Sequence, residues 1–67
     1  MSDAQYRVYM AIKDYIHRRG YSPTVRELCD LTGKSSPATI QAHLVNLKKK
    51  GYITFVANKN RTIRILK

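Results

Sequence analysis

A run of small, uncharged side chains interrupts a strongly basic chain between positions 36 and 45. The chain has 67 residues, with 13 Lys and Arg against 4 Asp and Glu, so its formal net charge is +9. Within the run, the side-chain amide of Gln41 can form two hydrogen bonds with the edge of an adenine base. Its small neighbours permit close approach, and their methyl groups can contact thymine methyls. The residues predicted on these grounds to recognise bases are Ala38, Thr39, Gln41, Ala42 and Val45.

The residues around this run have the chemistry to hold phosphate groups. No carboxylate side chain occurs from Leu31 to Lys67, whereas that half carries eight Lys and Arg residues. A field of one sign over half of a small domain favours a polyanion as partner, nucleic acid first and an anionic membrane second. The alternative is a basic surface that only confers solubility. The phosphate contacts predicted from charge and from the start of the third helix are Lys34, Ser35, Lys48, Lys49, Lys59 and Arg61.

The composition argues against catalytic and metal chemistry. Two His, one Cys and four scattered acidic residues provide neither a nucleophile and its base nor a set of metal ligands. We therefore expect a chain that is not an enzyme and that uses no cofactor and no metal. A single cysteine suits a reducing compartment, and the sequence has no signal peptide and no apolar run near about 18 residues. These features predict one small cytoplasmic domain with no membrane partner.

Three helices are predicted before residue 51. Capping boxes mark the first two starts, S-x-x-Q at Ser2 and T-x-x-E at Thr24. The pair Ser36-Pro37 marks the third start, as an N-cap serine followed by proline at the first helical position. A glycine follows each helix. The predicted bounds are 3–19, 25–32 and 37–50.

The third helix is predicted to have one buried apolar face and one face that points outward. At about 100° per residue, Leu44 and Leu47 fall on the same face as Ile40. Ala38, Gln41, Ala42, Val45 and Lys49 fall about 100° or more away from Ile40 and are expected to point outward.

After Gly51 the apolar pattern changes to the alternation that is typical of β-strands. Ile53 and Phe55 alternate with Thr54 and Val56. Ile63 and Ile65 likewise alternate with Thr62, Arg64 and Leu66. Strands are therefore predicted over about 52–57 and 62–66, joined by a turn at residues 58–61, here called the wing. The predicted fold is mainly α with a small β hairpin, a three-helix winged helix-turn-helix. In a helix-turn-helix the second helix of the motif, here the third helix of the chain, lies in the DNA major groove.

The segment GYSPTVRELCDLTGKSSPATIQAHLVNLKKKGYI, residues 20–53, resembles the DNA-binding domain of LexA-type repressors. Their pattern runs G-x-x-P-T/S-x-x-E/D-I, then G-x-x-S, then H-L-x-x-L-x-x-K-G-x-I, and the similarity continues from about Gln5 to Leu66. The resemblance implies a repressor that covers an operator. It implies base contacts from Ser36, Ala38, Thr39, Gln41 and Ala42, and phosphate contacts from the wing residues Asn58, Lys59, Asn60 and Arg61. The matching positions are Gly20, Pro23, Thr24, Glu27, Leu28, Gly33, Ser36, His43, Leu44, Leu47, Lys50, Gly51 and Ile53.

The chain departs from the family pattern in two ways. Ala38, Gln41 and Ala42 replace the Asn or Glu that some family members carry at the base-reading positions, so the operator of a known member is not assumed for this chain. LexA-type repressors also have a second domain that dimerises and cleaves the chain by a Ser/Lys mechanism, and this sequence stops after the wing. It is either an excised domain or a free-standing regulator of phage or plasmid type.

The leading hypothesis is a repressor domain that binds a double-stranded DNA operator in the bacterial nucleoid. The alternatives are a DNA-binding module of a replication or partition initiator and a protein-interaction winged helix without a DNA role. Because the twelve apolar residues named below are all expected to be needed for the core, no apolar stripe is left for a partner. The isolated chain is therefore predicted to be a monomer, paired on DNA or through a missing dimerisation domain. The predicted core is Val8, Ile12, Ile16, Val25, Leu28, Ile40, Leu44, Leu47, Ile53, Phe55, Ile63 and Ile65.

Overall fold

Three helices followed by a two-stranded antiparallel hairpin form the fold, in a computed structural model that describes residues 2–33 and 36–67. Helix α1 spans Asp3–Arg19, α2 spans Val25–Leu31 and α3 spans Pro37–Lys49. Strands β1 (Ile53–Thr54) and β2 (Arg64–Ile65) form the hairpin. The predicted fold class, a mainly α winged helix-turn-helix with a small hairpin, is confirmed.

Local capping fixes where α1 and α2 begin and where α1 ends. The Ser2 side chain accepts the backbone N–H of Gln5, and Gly20 ends α1 in the left-handed conformation at φ 78°. In α2, Thr24 accepts the N–H of Glu27 while the Glu27 carboxylate accepts the N–H of Thr24. These reciprocal bonds satisfy backbone donors that have no partner within the helix, so a helix of only seven residues has a defined start.

One apolar core joins the three helices to the hairpin. Ile12, Leu28, Ile40, Leu47 and Ile53 are each fully buried within it. Since α3 packs against α1, α2 and β1, its buried face sets the orientation of the whole helix. The other buried apolar residues are Val8, Tyr9, Leu44 and Ile63, with Ile16, Val25, Phe55 and Ile65 partly buried around them.

The strands are shorter than the predicted segments 52–57 and 62–66. The ladder pairs only Ile53 with Ile65 and Thr54 with Arg64. Beyond Thr54, the backbone N–H of Val56 donates to the Thr62 hydroxyl at 2.9 Å rather than to a strand carbonyl. Because two-residue strands are marginal by themselves, the hairpin depends on its contacts with the helices.

Some apolar side chains that are not part of the predicted core remain exposed. Tyr6 and Met10 on α1 and Leu31 on α2 are exposed and line one shallow depression together with Arg7. These exposed side chains do not form a segment that could span a membrane. Within the described ranges, no helix combines the length and the apolar character needed to cross a membrane.

Candidate nucleic-acid interface

The start of α3 is built by hydroxyl groups. Ser36 is the N-cap, its side chain accepts the backbone N–H of Thr39 at 3.2 Å, and Pro37 occupies the first turn. The hydroxyls of Ser36 and Thr39 also lie 3.0 Å apart and form a hydrogen bond. The serine therefore has a structural task in addition to the base contact predicted for it.

The faces of α3 are divided as the sequence predicts. Ile40, Leu44 and Leu47 are buried, while the six residues predicted to read bases are all exposed. The exposed side chains are small or uncharged, so this part of the helix can approach another surface closely. The six residues are Ser36, Ala38, Thr39, Gln41, Ala42 and Val45.

A groove of about 200 Å³ separates α3 from the segment that carries the wing. Gln41 and Val45 line it from the helix, and Val56 and Lys59 are among the residues that line it from the other side. The groove keeps the two surfaces apart, so the uncharged helix face and the wing can each contact a different part of one ligand.

Short-range hydrogen bonds shape the wing. Asn58 and Arg61 adopt positive φ angles of 63° and 58°, a region that few non-glycine residues occupy. The Thr62 hydroxyl bridges the base of the loop, because it accepts from Val56 N–H and lies 3.2 Å from the Val56 carbonyl oxygen. Asn58, Lys59 and Asn60 are exposed, as a phosphate-binding role requires.

The predicted phosphate contacts on α3 differ in the contacts that they make within the chain. The ammonium group of Lys48 donates to the Phe55 carbonyl oxygen at 2.9 Å and lies 4.7 Å from the centre of the Phe55 ring. Lys48 therefore links α3 to Phe55, which precedes the wing in the chain. The neighbouring Lys49 is exposed. Lys34 and Ser35, also predicted to contact phosphate, lie outside the described residues.

Arg61, a further predicted phosphate contact, is held by groups of the chain itself. Its Nη1 lies 3.0 Å from Glu27 Oε1 and its Nη2 donates to Glu27 Oε2 at 3.2 Å, which makes a two-pronged ion pair. Nη1 also donates to the Ser22 carbonyl oxygen at 3.0 Å, and the guanidinium lies 4.8 Å from the Tyr21 ring centre. We call the contact between Arg61 and Glu27 the wing clamp.

Glu27 receives more hydrogen bonds than its capping role requires. Besides Arg61, it accepts from the Thr24 backbone N–H at 2.9 Å and from the Tyr15 hydroxyl at 2.8 Å. The Thr24 bond first, then the Tyr15 bond and the Arg61 contacts, lower the pKa of Glu27 from an ordinary 4.5 to about 2. The sequence identified Glu27 only as part of a capping box, since 34 residues separate it from Arg61.

The remaining carboxylate side chains belong to α1 and α2 and not to α3 or the wing. Asp3 and Asp14 are on α1 and Asp30 is near the end of α2, all three exposed, and no carboxylate side chain follows Asp30 in the sequence. Because the clamp pairs Glu27 with Arg61, α3 and the wing offer uncharged and cationic groups to a ligand. A polyanion therefore meets little repulsion there.

The other residues with potential chemistry do not form a cluster. His17 is exposed on α1, His43 is half-buried on α3, and Cys29 is half-buried against the core. The buried Nδ1 of His43 has no hydrogen-bond partner within the described part of the chain. Across residues 2–33 and 36–67, no group of three or more His, Cys, Asp or Glu side chains could hold a metal ion.

The sequence of the chain is similar to LexA repressors over nearly its whole length. The sequence model of the family described as LexA DNA binding domain matches residues 1–62. The chain is 48% identical over 67 residues to the LexA repressor of Desulfatibacillum aliphaticivorans. The aligned region covers 100% of this chain and 33% of that relative. It is 46% identical over 65 residues to the LexA repressor of Clostridium novyi (strain NT). Here the aligned region covers 97% of this chain and 32% of that relative. The chain thus spans about a third of the length of the curated relatives it matches.

Proposed function

Since this chain belongs to the family of LexA DNA binding domains, we propose that it binds double-stranded DNA in a sequence-specific manner as the operator-binding part of a transcriptional repressor. In this role α3 lies in the major groove and the wing lies on the phosphate backbone. A repressor of this kind acts at the bacterial nucleoid. The resemblance predicted from the sequence motifs is confirmed by the family match.

The observation that carries the proposal is the placement of the uncharged face of α3. Exposed Gln41 and Val45 line the same groove as the wing. Both α3 and the wing belong to the half of the chain that has no carboxylate side chains. Base edges are read by hydrogen bonds and methyl contacts, while phosphates are held by cations and backbone groups. The two kinds of group lie side by side here, in the arrangement that a winged helix needs.

Selection of bound sequences from a random duplex pool, repeated at two salt concentrations, tests the proposal. We expect one enriched motif and an affinity that falls with salt. About four to five phosphate contacts give a slope of log affinity against log salt of about −4. Equal affinity for random and selected duplexes, or a slope near zero, would contradict the proposed function.

The proposal extends to pairing on DNA. One α3 reads only a few base pairs, so a single copy holds its half-site weakly. We propose that two copies occupy two half-sites, joined by contacts on the DNA or by a dimerisation domain such as the longer relatives have room for.

A further inference from the structure

The hairpin provides few contacts of its own to fix the position of the wing. Its ladder has two residue pairs, and the backbone of Arg61 adopts a left-handed conformation that L residues rarely occupy. The position of the wing relative to α3 must therefore be set by side chains that reach from the hairpin to the helices.

One carboxylate connects three parts of the fold. Glu27 is hydrogen-bonded to Tyr15 on α1 and to the start of α2 through Thr24, and it holds both terminal nitrogens of Arg61 in the wing. Planar two-pronged pairing fixes the direction of the guanidinium as well as its distance. Arg61 also donates to the Ser22 carbonyl oxygen, so its guanidinium is bonded both to α2 and to the segment before it.

We propose that Glu27 is a positioning residue for DNA binding, which through the wing clamp holds the wing where its exposed side chains can reach phosphate. This inference rests on the proposed function. Arg61 then acts mainly as the connection between wing and helices, because a phosphate would have to compete with Glu27 for both of its terminal nitrogens. Lys59, exposed in the same turn, is the cation that the clamp presents to DNA.

The proposal predicts a change in DNA affinity that is opposite in sign to the change expected from net charge alone. Glu27→Gln removes one negative charge and raises the formal net charge from +9 to +10. Long-range attraction to DNA alone would make this variant bind more tightly. If the clamp positions the wing, the variant binds less tightly in spite of its added positive charge. Gln at this position still supports a capping box, so the start of α2 is retained.

The test compares DNA affinity and salt dependence among matched variants on the selected duplex. We expect Glu27→Gln to bind about five- to tenfold more weakly and to reduce the salt slope by about 1, as for the loss of one phosphate contact. Asp30→Asn, the same charge change at an exposed site on α2, should bind as tightly as the wild type or more tightly. In a Lys59→Ala background the effect of Glu27→Gln should shrink, because the contact that the clamp positions is already lost.

Arg61→Lys provides a second and independent measurement. It keeps the charge but cannot form the two-pronged pair, so we expect a loss close to that of Glu27→Gln. Thermal melts followed by circular dichroism establish that each variant is folded at the binding temperature, and Arg61→Lys decides alone if Glu27→Gln does not fold.

The outcomes separate this inference from the proposed function. If the wild type prefers the selected duplex but Glu27→Gln binds as tightly as Asp30→Asn, or if Arg61→Lys keeps full affinity, the inference is overturned and the proposed function stands. If the wild type shows no salt-dependent preference, the proposed function is wrong and this inference is wrong with it.

Discussion

Replacing Gln41 by alanine should separate base reading from general attraction to DNA. Gln41 is exposed on α3 beside the groove, and its side chain is not needed for the core. A side-chain amide paired with adenine contributes about 1–3 kcal/mol of discrimination, which corresponds to about 5- to 150-fold in affinity. Fluorescence anisotropy with the selected duplex should show a loss in this range, whereas affinity for random duplex should change little.

The same helix offers a matched control. Asn46 is also an exposed amide on α3, but it lies about 140° around the helix from Gln41, and it is not among the groove residues. Asn46→Ala should leave both affinities close to those of the wild type. Exposed substitutions of this kind change stability by about 0.5 kcal/mol or less, so the folded population stays constant. Equal losses of Gln41→Ala on selected and random duplexes would refute the assignment of α3 as the reader.

Three further predictions concern stability and assembly. Ser22→Ala removes a buried hydroxyl that accepts the Ile63 backbone N–H at 3.1 Å, and it should lower the free energy of unfolding in urea by about 1–3 kcal/mol; a loss near zero would mean that water replaces the hydroxyl. Because the pKa of Glu27 is lowered to about 2 in the folded state, its contribution to stability is complete above pH 4.5 and is lost as the pH falls from 4.5 toward 2. The urea midpoint of the wild type should therefore fall more steeply across that range than that of Glu27→Gln, and parallel curves would contradict this account. Fusion to a short leucine zipper should raise operator affinity by about a hundredfold or more, and sedimentation of the unfused chain should show a monomer; a tight dimer without DNA would contradict both expectations.

Features governed by local sequence were predictable. The caps at Ser2, Thr24 and Ser36 define helix starts through bonds that span three residues, so the sequence itself contains the partners. The orientation of α3 followed from the period of Ile40, Leu44 and Leu47. The exposed position of the predicted base-reading residues is a consequence of that period, and their contacts with DNA remain predictions.

Features governed by distant contacts were not predictable. No local sequence pattern indicates that Arg61 pairs with Glu27, because the fold of the chain brings together two residues that are distant in the sequence. The extent of the strands was overestimated for a similar reason, since the alternating pattern continues through Val56, where a side-chain hydroxyl takes the place of the ladder. The exposed Tyr6, Met10 and Leu31 escaped notice because periodicity identifies a helix face but not how much of it the neighbouring helices cover.

The two-sided character of α3 bears on how such a domain can change its target over time. Ile40, Leu44 and Leu47 anchor the helix, whereas Ala38, Gln41 and Ala42 are exposed on its surface. Substitutions at the exposed positions are nearly neutral for folding, so a lineage can explore new operators without first acquiring compensating stability. The same separation makes this helix a practical site for libraries in which the outward residues are randomised and the scaffold is kept.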